Sequence, residues 1–306
     1  LWDAGRKCVD LIEGLLASGL ALPGWRKFKA WRRQLKACER TASRIVYRGG
    51  PHKEARVKAA VREYLAVGRD LSAKVRQSLL GLCDQPVDTA RWERLAYFHA
   101  MLDKHLDLVE RRLLKGETIP AHEKVFSIFE PHTEWIQKGK QRPNVELGHR
   151  LLIATDQHQL IQDYAVLMRQ AEVDQSVPVA GRLLGRYGAG SVASLSFDKG
   201  FTREADRELL SLYIPEVVMP KRGKKNAAEA QRESGKAFMA LRRQHSAVES
   251  EINSLEHHGL NRCLDVGLEG YRRYVGLGVM SYNLHVIGRE LLRRQRARGQ
   301  PLALAA

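Results

Sequence analysis

Cysteine is scarce in this chain of 306 residues: Cys8, Cys38, Cys83 and Cys263 are the four, and no C-x-x-C spacing links them. That excludes a zinc ribbon or a disulfide framework and points to a reducing, cytosolic compartment. No apolar run reaches the roughly 20 residues that a membrane span needs. The stretch from Val9 to Leu22 follows Arg6 and Lys7, but Asp10 and Glu13 interrupt it, so it is not a secretory signal. No internal repeat is visible. The histidines form no H-E-x-x-H, since His122-Glu123 lacks the second His, and His257-His258 points its rings to different faces of a helix. Acidic residues are outnumbered, 35 against 51 basic ones, which leaves a formal net charge of +16. Such a balance predicts a polyanionic partner, nucleic acid ahead of an anionic membrane surface.

What is present divides into two regions. Residues 1–116 carry helical periodicity almost throughout. Val9, Ile12, Leu15 and Leu16 fit one helix, and Trp25, Phe28, Trp31 and Leu35 a second with basic residues between them. A third is predicted over 53–80 and a fourth over 89–114, with breaks at Pro23-Gly24, Gly49-Gly50-Pro51 and Gln85-Pro86. This reads as an antiparallel helical bundle. The tryptophans at helical spacing fit a core, leaving the intervening Arg and Lys to face outward toward phosphates. The opening Leu-Trp-Asp-Ala-Gly-Arg-Lys already reads as helix, and the expectation is of a fragment shortened at its N-terminus.

Residues 117–306 change period. Strands are predicted at 125–129, 146–154 and 160–168, the last two joined by a turn at Gln157 and His158. A helix over 175–186, a buried strand at 192–197, a helix over 202–212 and a short strand at 217–220 follow. A basic stretch then leads into one long helix running past Glu256, and a last helix covers 269–296. Gly188-Ala-Gly190 mimics a dinucleotide fingerprint, but a helix precedes it and a strand follows, the reverse of what that motif requires. The order is that of a ribonuclease-H-like mixed sheet flanked by helices, an α+β to α/β class, preceded by the helical bundle.

Two carboxylates stand out. Asp198 ends the buried strand in Ser-Phe-Asp-Lys-Gly-Phe, where a side chain can enter a cleft at the carboxyl edge of a sheet; the plainer alternative is a cap or turn before Thr202. Glu249 lies beside the apolar stripe of Val248, Ile252 and Leu255, with His245 one turn earlier and Arg242 and Arg243 before it; the plainer alternative is a solvated helical glutamate. A strand-borne acid and a helix-borne acid in so basic a chain suit Mg²⁺ or Mn²⁺, which take hard oxygen ligands, acting on a phosphate backbone. A two-metal site needs a third acid. Glu130 and Asp156 are candidates, each equally readable as a turn or cap residue.

From about Glu123 onward these segments, Glu-Lys-Val-Phe-Ser-Ile-Phe-Glu-Pro-His-Thr-Glu-Trp-Ile (123–136), Val-Glu-Leu-Gly-His-Arg (145–150), Ser-Phe-Asp-Lys-Gly-Phe (196–201) and Arg-Gln-His-Ser-Ala-Val-Glu-Ser-Glu-Ile-Asn-Ser-Leu-Glu-His-His-Gly-Leu (243–260), resemble the DDE-class transposases of bacterial insertion sequences. The resemblance implies that Asp198 is the second catalytic aspartate and Glu249 the catalytic glutamate, both metal ligands in a two-Mg²⁺ site. It places the first aspartate on an early strand upstream of a helical insertion, hence upstream of Leu1. His245 stands where many relatives carry Arg. Lys199, Arg242, Arg243 and His245 become phosphate contacts. The implied activity is cleavage and strand transfer on double-stranded DNA, the insertion-sequence ends and the target, by a homodimer in the bacterial cytoplasm near the nucleoid. This chain, one acid short, is expected to cut poorly. A non-catalytic DNA-binding remnant and a structure-selective nuclease on the same fold are the competing readings. No sustained heptad marks a dimer interface in the sequence pattern.

Overall fold

The computed structural model describes residues 1–137 and 145–298. The chain forms two compact units that divide between Pro131 and His132. Among the described residues no helix is long and apolar enough to cross a membrane.

The first unit is built from α1 (Trp2–Ala17), α2 (Phe28–Tyr47), α3 (Lys53–Leu82) and α4 (Thr89–Leu113). α1 packs on α2 and α4, and α3 packs on the same two, so the helices close into a four-membered bundle. The helix breaks fall at glycines with positive φ, Gly24 at 80° and Gly50 at 111°. Gly5 permits close approach: a Cβ there would lie 3.1 Å from Leu35 Cδ1 and 3.2 Å from Leu71 Cδ2. The tryptophans belong to the core. Trp25 is buried, stacks on Phe28, and donates from Nε1 to Ser78 Oγ at 2.6 Å, while Trp31 and Trp92 pack against the same cluster.

The predicted strand at 125–129 does not form. Val125 and Ile128 instead pack on the helical core, and Tyr97 donates its hydroxyl proton to the Ile128 carbonyl at 2.9 Å. A short apolar run satisfies a bundle surface as well as a sheet, and here the nearest unfilled apolar surface lies on α4. The first unit therefore extends past residue 116 to Pro131.

The second unit is mixed: β1 (Glu134–Gln137), β2 (Val145–Gly148), β3 (Arg150–Thr155), β4 (Ile161–Leu167), α5 (Ser176–Tyr187), β5 (Ser194–Ser196), α6 (Glu204–Ser211), β6 (Glu216–Val218), α7 (Ala227–Ser234), α8 (Lys236–His245), α9 (Ala247–Leu255) and α10 (Gly267–Ala297). Hydrogen bonding among the described residues joins the strands in three pairs rather than one mixed sheet: β1–β2 antiparallel, β3–β4 antiparallel and β5–β6 parallel. The run expected as one strand over 146–154 is split at Gly148, whose φ of 149° breaks the extended path, so β2 and β3 take different partners. The long helix expected from 226 past Glu256 is cut into α7, α8 and α9, by Gly235 with a ψ of 139° and by a turn at Ser246.

β3 and β4 alternate as a strand pair must when covered on both faces. Leu152, Ala154, Ala165 and Leu167 point to a core shared with Val179 and Ala180 of α5, Phe197 just after β5, and Leu210 of α6. Leu151, Ile153, Ile161 and Val166 point the other way, to Leu255 of α9 and Val275, Val279, Tyr282 and Val286 of α10. Two polar clamps fix these layers. Buried Asp163 on β4 receives Nε and Nη2 of Arg182 at 2.9 and 2.7 Å, which ties α5 down. On the other face Asn283 of α10 brackets Ile161, accepting its N–H at 2.8 Å and donating to its carbonyl at 2.9 Å. The side-chain amide thus satisfies both backbone groups of a strand residue as a neighbouring strand would. Replacing Asn283 by Ala leaves both unpaired and should destabilise the second unit by about 1–3 kcal/mol. A urea unfolding midpoint equal to that of the wild type would contradict the clamp.

Candidate functional site: two carboxylates around His245

β5 runs parallel to β6 and ends at buried Phe197, whose N–H donates to the Val218 carbonyl at 2.8 Å. The chain then turns into a single 3₁₀ turn, Lys199–Phe201, and Asp198 caps it by accepting the Lys199 N–H on Oδ1 at 2.7 Å. The capping role and the edge position therefore hold together. One oxygen anchors the turn, while Oδ2 stays open on an exposed side chain. α8 packs on β5 and β6 and ends at His245, and α9 starts after Ser246, which puts exposed Glu249 in its first turn.

His245 joins these parts. Its ring lies near the Ser196 carbonyl, Asp198 and Glu249, and all three act to raise its pKa. Burial is the dominant influence and lowers its pKa below the ordinary 6.5; the two carboxylates and the Ser196 carbonyl pull the other way without overcoming it. Burial thus favours the neutral ring over the charged one. His245, expected as a phosphate contact, is the half-buried last residue of α8.

The remaining expected residues separate. Lys199 is exposed beside Asp198, and Arg243 is exposed on α8. Arg242 turns toward Glu233 and lines a cavity of about 330 Å³ with Lys225, Ala230, Ser234 and Met239. Asp156 is held as a turn residue: Oδ1 accepts the N–H groups of His158 and Leu160 at 2.8 and 3.0 Å, and Oδ2 accepts from Gln162 at 2.7 Å. Glu130 belongs to the first unit, where its N–H donates to Ser127 Oγ at 3.0 Å. Among the described residues no three His, Cys, Asp or Glu side chains are gathered so as to hold a metal ion.

Three clusters escaped the sequence pattern. Glu251 is buried, with Oε2 unpaired among the described residues; burial first, and Asp156 second, raise its pKa, against a hydrogen bond from Thr155. It lies about 200° round the helix from Glu249, so α9 presents one acid to His245 and hides another against the end of β3. In the bundle, His99 Nε2 meets Ser72 Oγ at 3.0 Å and Asp103 Oδ2 at 3.6 Å. This is not a hydrolytic triad, because the same Nε2 also meets the Ser72 carbonyl at 3.1 Å and Asp103 bonds Ser72 directly. In the second unit, His149 joins His132 at 2.8 Å and Glu134 at 3.0 Å. Each of these contacts spans a fold-dependent pairing that helical or strand periodicity does not reveal.

No protein-family model, curated protein or solved structure matches this chain.

Because both carboxylates raise the His245 pKa, Asp198→Asn and Glu249→Gln should each lower it further, as read from its ring resonances in a pH titration. A variant that leaves the titration unmoved would place that acid elsewhere. The linked stability has a fixed sign. With the folded value depressed, the unfolded chain takes up the proton first, so stability is lost as pH falls below 6.5 toward the folded value. His245→Gln should remove that component.

Proposed function

We propose that the second unit is a ribonuclease-H-like catalytic domain and that the chain serves DNA transposition, binding DNA and carrying out metal-dependent cleavage and strand transfer on it. The observation that carries this reading is the convergence of Asp198 and Glu249 on His245. The strand pairs lend support: such a sheet combines an antiparallel meander with a parallel pair, and β3–β4 and β5–β6 are of those two kinds. The strand that would lie between them, bearing the first aspartate, is formed by none of the described residues. The charge of +16 supports a phosphate-rich partner.

The donor set fits one hydrated Mg²⁺ or Mn²⁺: two exposed carboxylates supply hard oxygens and leave room for several waters. A two-ion clamp asks for a further acid, and both oxygens of Asp156 are engaged in its own turn. A metal held there supplies polarisation of a phosphoryl oxygen and a more acidic bound water. The chain's own residues do the rest. Asp198 and Glu249 would hold the ion, Lys199 and Arg243 would offer cations to phosphate oxygens, and His245, near both acids, would serve as a proton acceptor. With two acids the 306-residue chain binds metal and DNA but cuts slowly. The small donor set also favours a second reading, a DNA-binding protein without catalysis.

The DNA contact falls to α2 of the first unit. Lys29, Arg33, Arg40, Arg44 and Arg48 are exposed along one face, and none forms an ion pair among the described residues, whereas Arg32 and Lys36 on the flank do.

Calorimetric titration with Mn²⁺ should give one ion bound to the wild type, weakened at least about tenfold in Asp198→Asn and in Glu249→Gln. Unaltered Mn²⁺ affinity in both variants removes the enzyme reading and leaves the DNA-binding one. Independently, changing Arg33, Arg40 and Arg44 to Gln should reduce the slope of log K against log salt for duplex DNA by about 2–3. An unchanged slope would take α2 out of the interface.

A further inference from the structure

α10 is a helix of 31 residues with two apolar faces. One is the buried stripe of Val275, Val279, Tyr282 and Val286. The other is uncovered: Leu277, Met280, Leu284, Ile287 and Leu291 are 60, 54, 61, 43 and 59% exposed. Their spacing alternates three and four residues, the a/d repeat of a coiled-coil seam. The sequence pattern hid it, because two interleaved apolar stripes make the helix look apolar nearly all round. We propose that this seam pairs with a second copy of the same chain, α10 against α10, antiparallel about a two-fold axis.

Three features argue for that occupant. Spacing that alternates three and four residues suits the a/d seam of a helix pair, which a second α10 would supply. Area is adequate: the five exposed side chains present on the order of 500 Å² per copy, so pairing buries about 1,000 Å² in total, the threshold for a specific interface. Charge sets the direction. The C-terminal end carries Arg289, Arg293, Arg294, Arg296 and Arg298, of which Arg293 and Arg294 are paired with Glu290. Parallel pairing lays these basic ends side by side, while antiparallel pairing holds them apart. Small residues flank the seam: Ser281 and Gly288 both lie beside it, and a Cβ added at Gly288 would meet nothing within 4 Å, so a second backbone can approach there. In this register Leu284 faces the partner's Ile287, and Met280 faces the partner's Leu291.

This inference stands apart from the proposed chemistry; a monomer would leave the metal site as described. The test is sedimentation velocity on the full chain, with the dimer at twice the 34.6 kDa chain mass. Wild type should sediment as a concentration-dependent dimer, and Leu284→Glu, a change at an exposed position, as a monomer with unaltered circular dichroism. Cross-linking in a Cys83→Ser background fixes the direction. Leu284→Cys, near the axis, should cross-link to its own counterpart through a short bis-maleimide. Leu277→Cys, far from the axis, should not. A wild-type monomer, or a dimer untouched by Leu284→Glu, overturns the pairing, as would occupation of the seam by the chain's own residues 301–306. Equal cross-linking at both positions overturns the antiparallel geometry.

Discussion

The packing of α8 on the end of β5 is the constraint on which the site depends. It ties the end of α8 to the last residue of β5, and the two acids follow from it. Asp198 comes two residues after Ser196, past a buried Phe197 that fixes the strand end, and Glu249 comes one turn after His245 across the break at Ser246. Neither acid needs to contact the other; each is delivered by the element that the imidazole joins. Burial favours the neutral ring, which limits the positive charge beside the two acids.

The layers behind the site explain why it holds still. β3–β4 is covered by α5 and α6 on one face and by α9 and α10 on the other. Asp163 with Arg182 and Asn283 with Ile161 pin one helix to each side. α9 is therefore anchored through Leu255 and through Glu251 beside Thr155, and its exposed turn carries Glu249 as a consequence of that anchoring. A buried carboxylate with one unpaired oxygen is costly, and it stands on the same short helix as the acid that faces solvent.

The helices of the bundle were legible because their periodicity is long and their breaks are marked by Pro and Gly. The α5, β5, α6 and β6 order was legible for the same reason, with each element short but flanked by turn residues. Asp198 and Glu249 could be singled out from their neighbours, and both act electrostatically on His245. Other features depended on partners that local pattern does not encode. Val125 to Phe129 went to the bundle because apolar surface was free there. Gly148 split one predicted strand, and Gly235 and Ser246 split one predicted helix, in each case by a single backbone angle or turn. The lowered pKa of His245 depends on burial that local pattern does not encode, and the α10 seam was masked by the second apolar stripe on the same helix. A third acid was not found beside the pair, since Asp156 is spent on its own turn.

The account's central claim is that Asp198 and Glu249 serve one ion. Substoichiometric Mn²⁺ added to isotope-labelled protein broadens backbone amide signals near wherever it binds. The predicted result is simultaneous broadening of the 198–200 and 247–249 segments, lost from both when either carboxylate is replaced by its amide. Broadening of one segment alone, or persistence at one after the other acid is removed, would contradict a shared site.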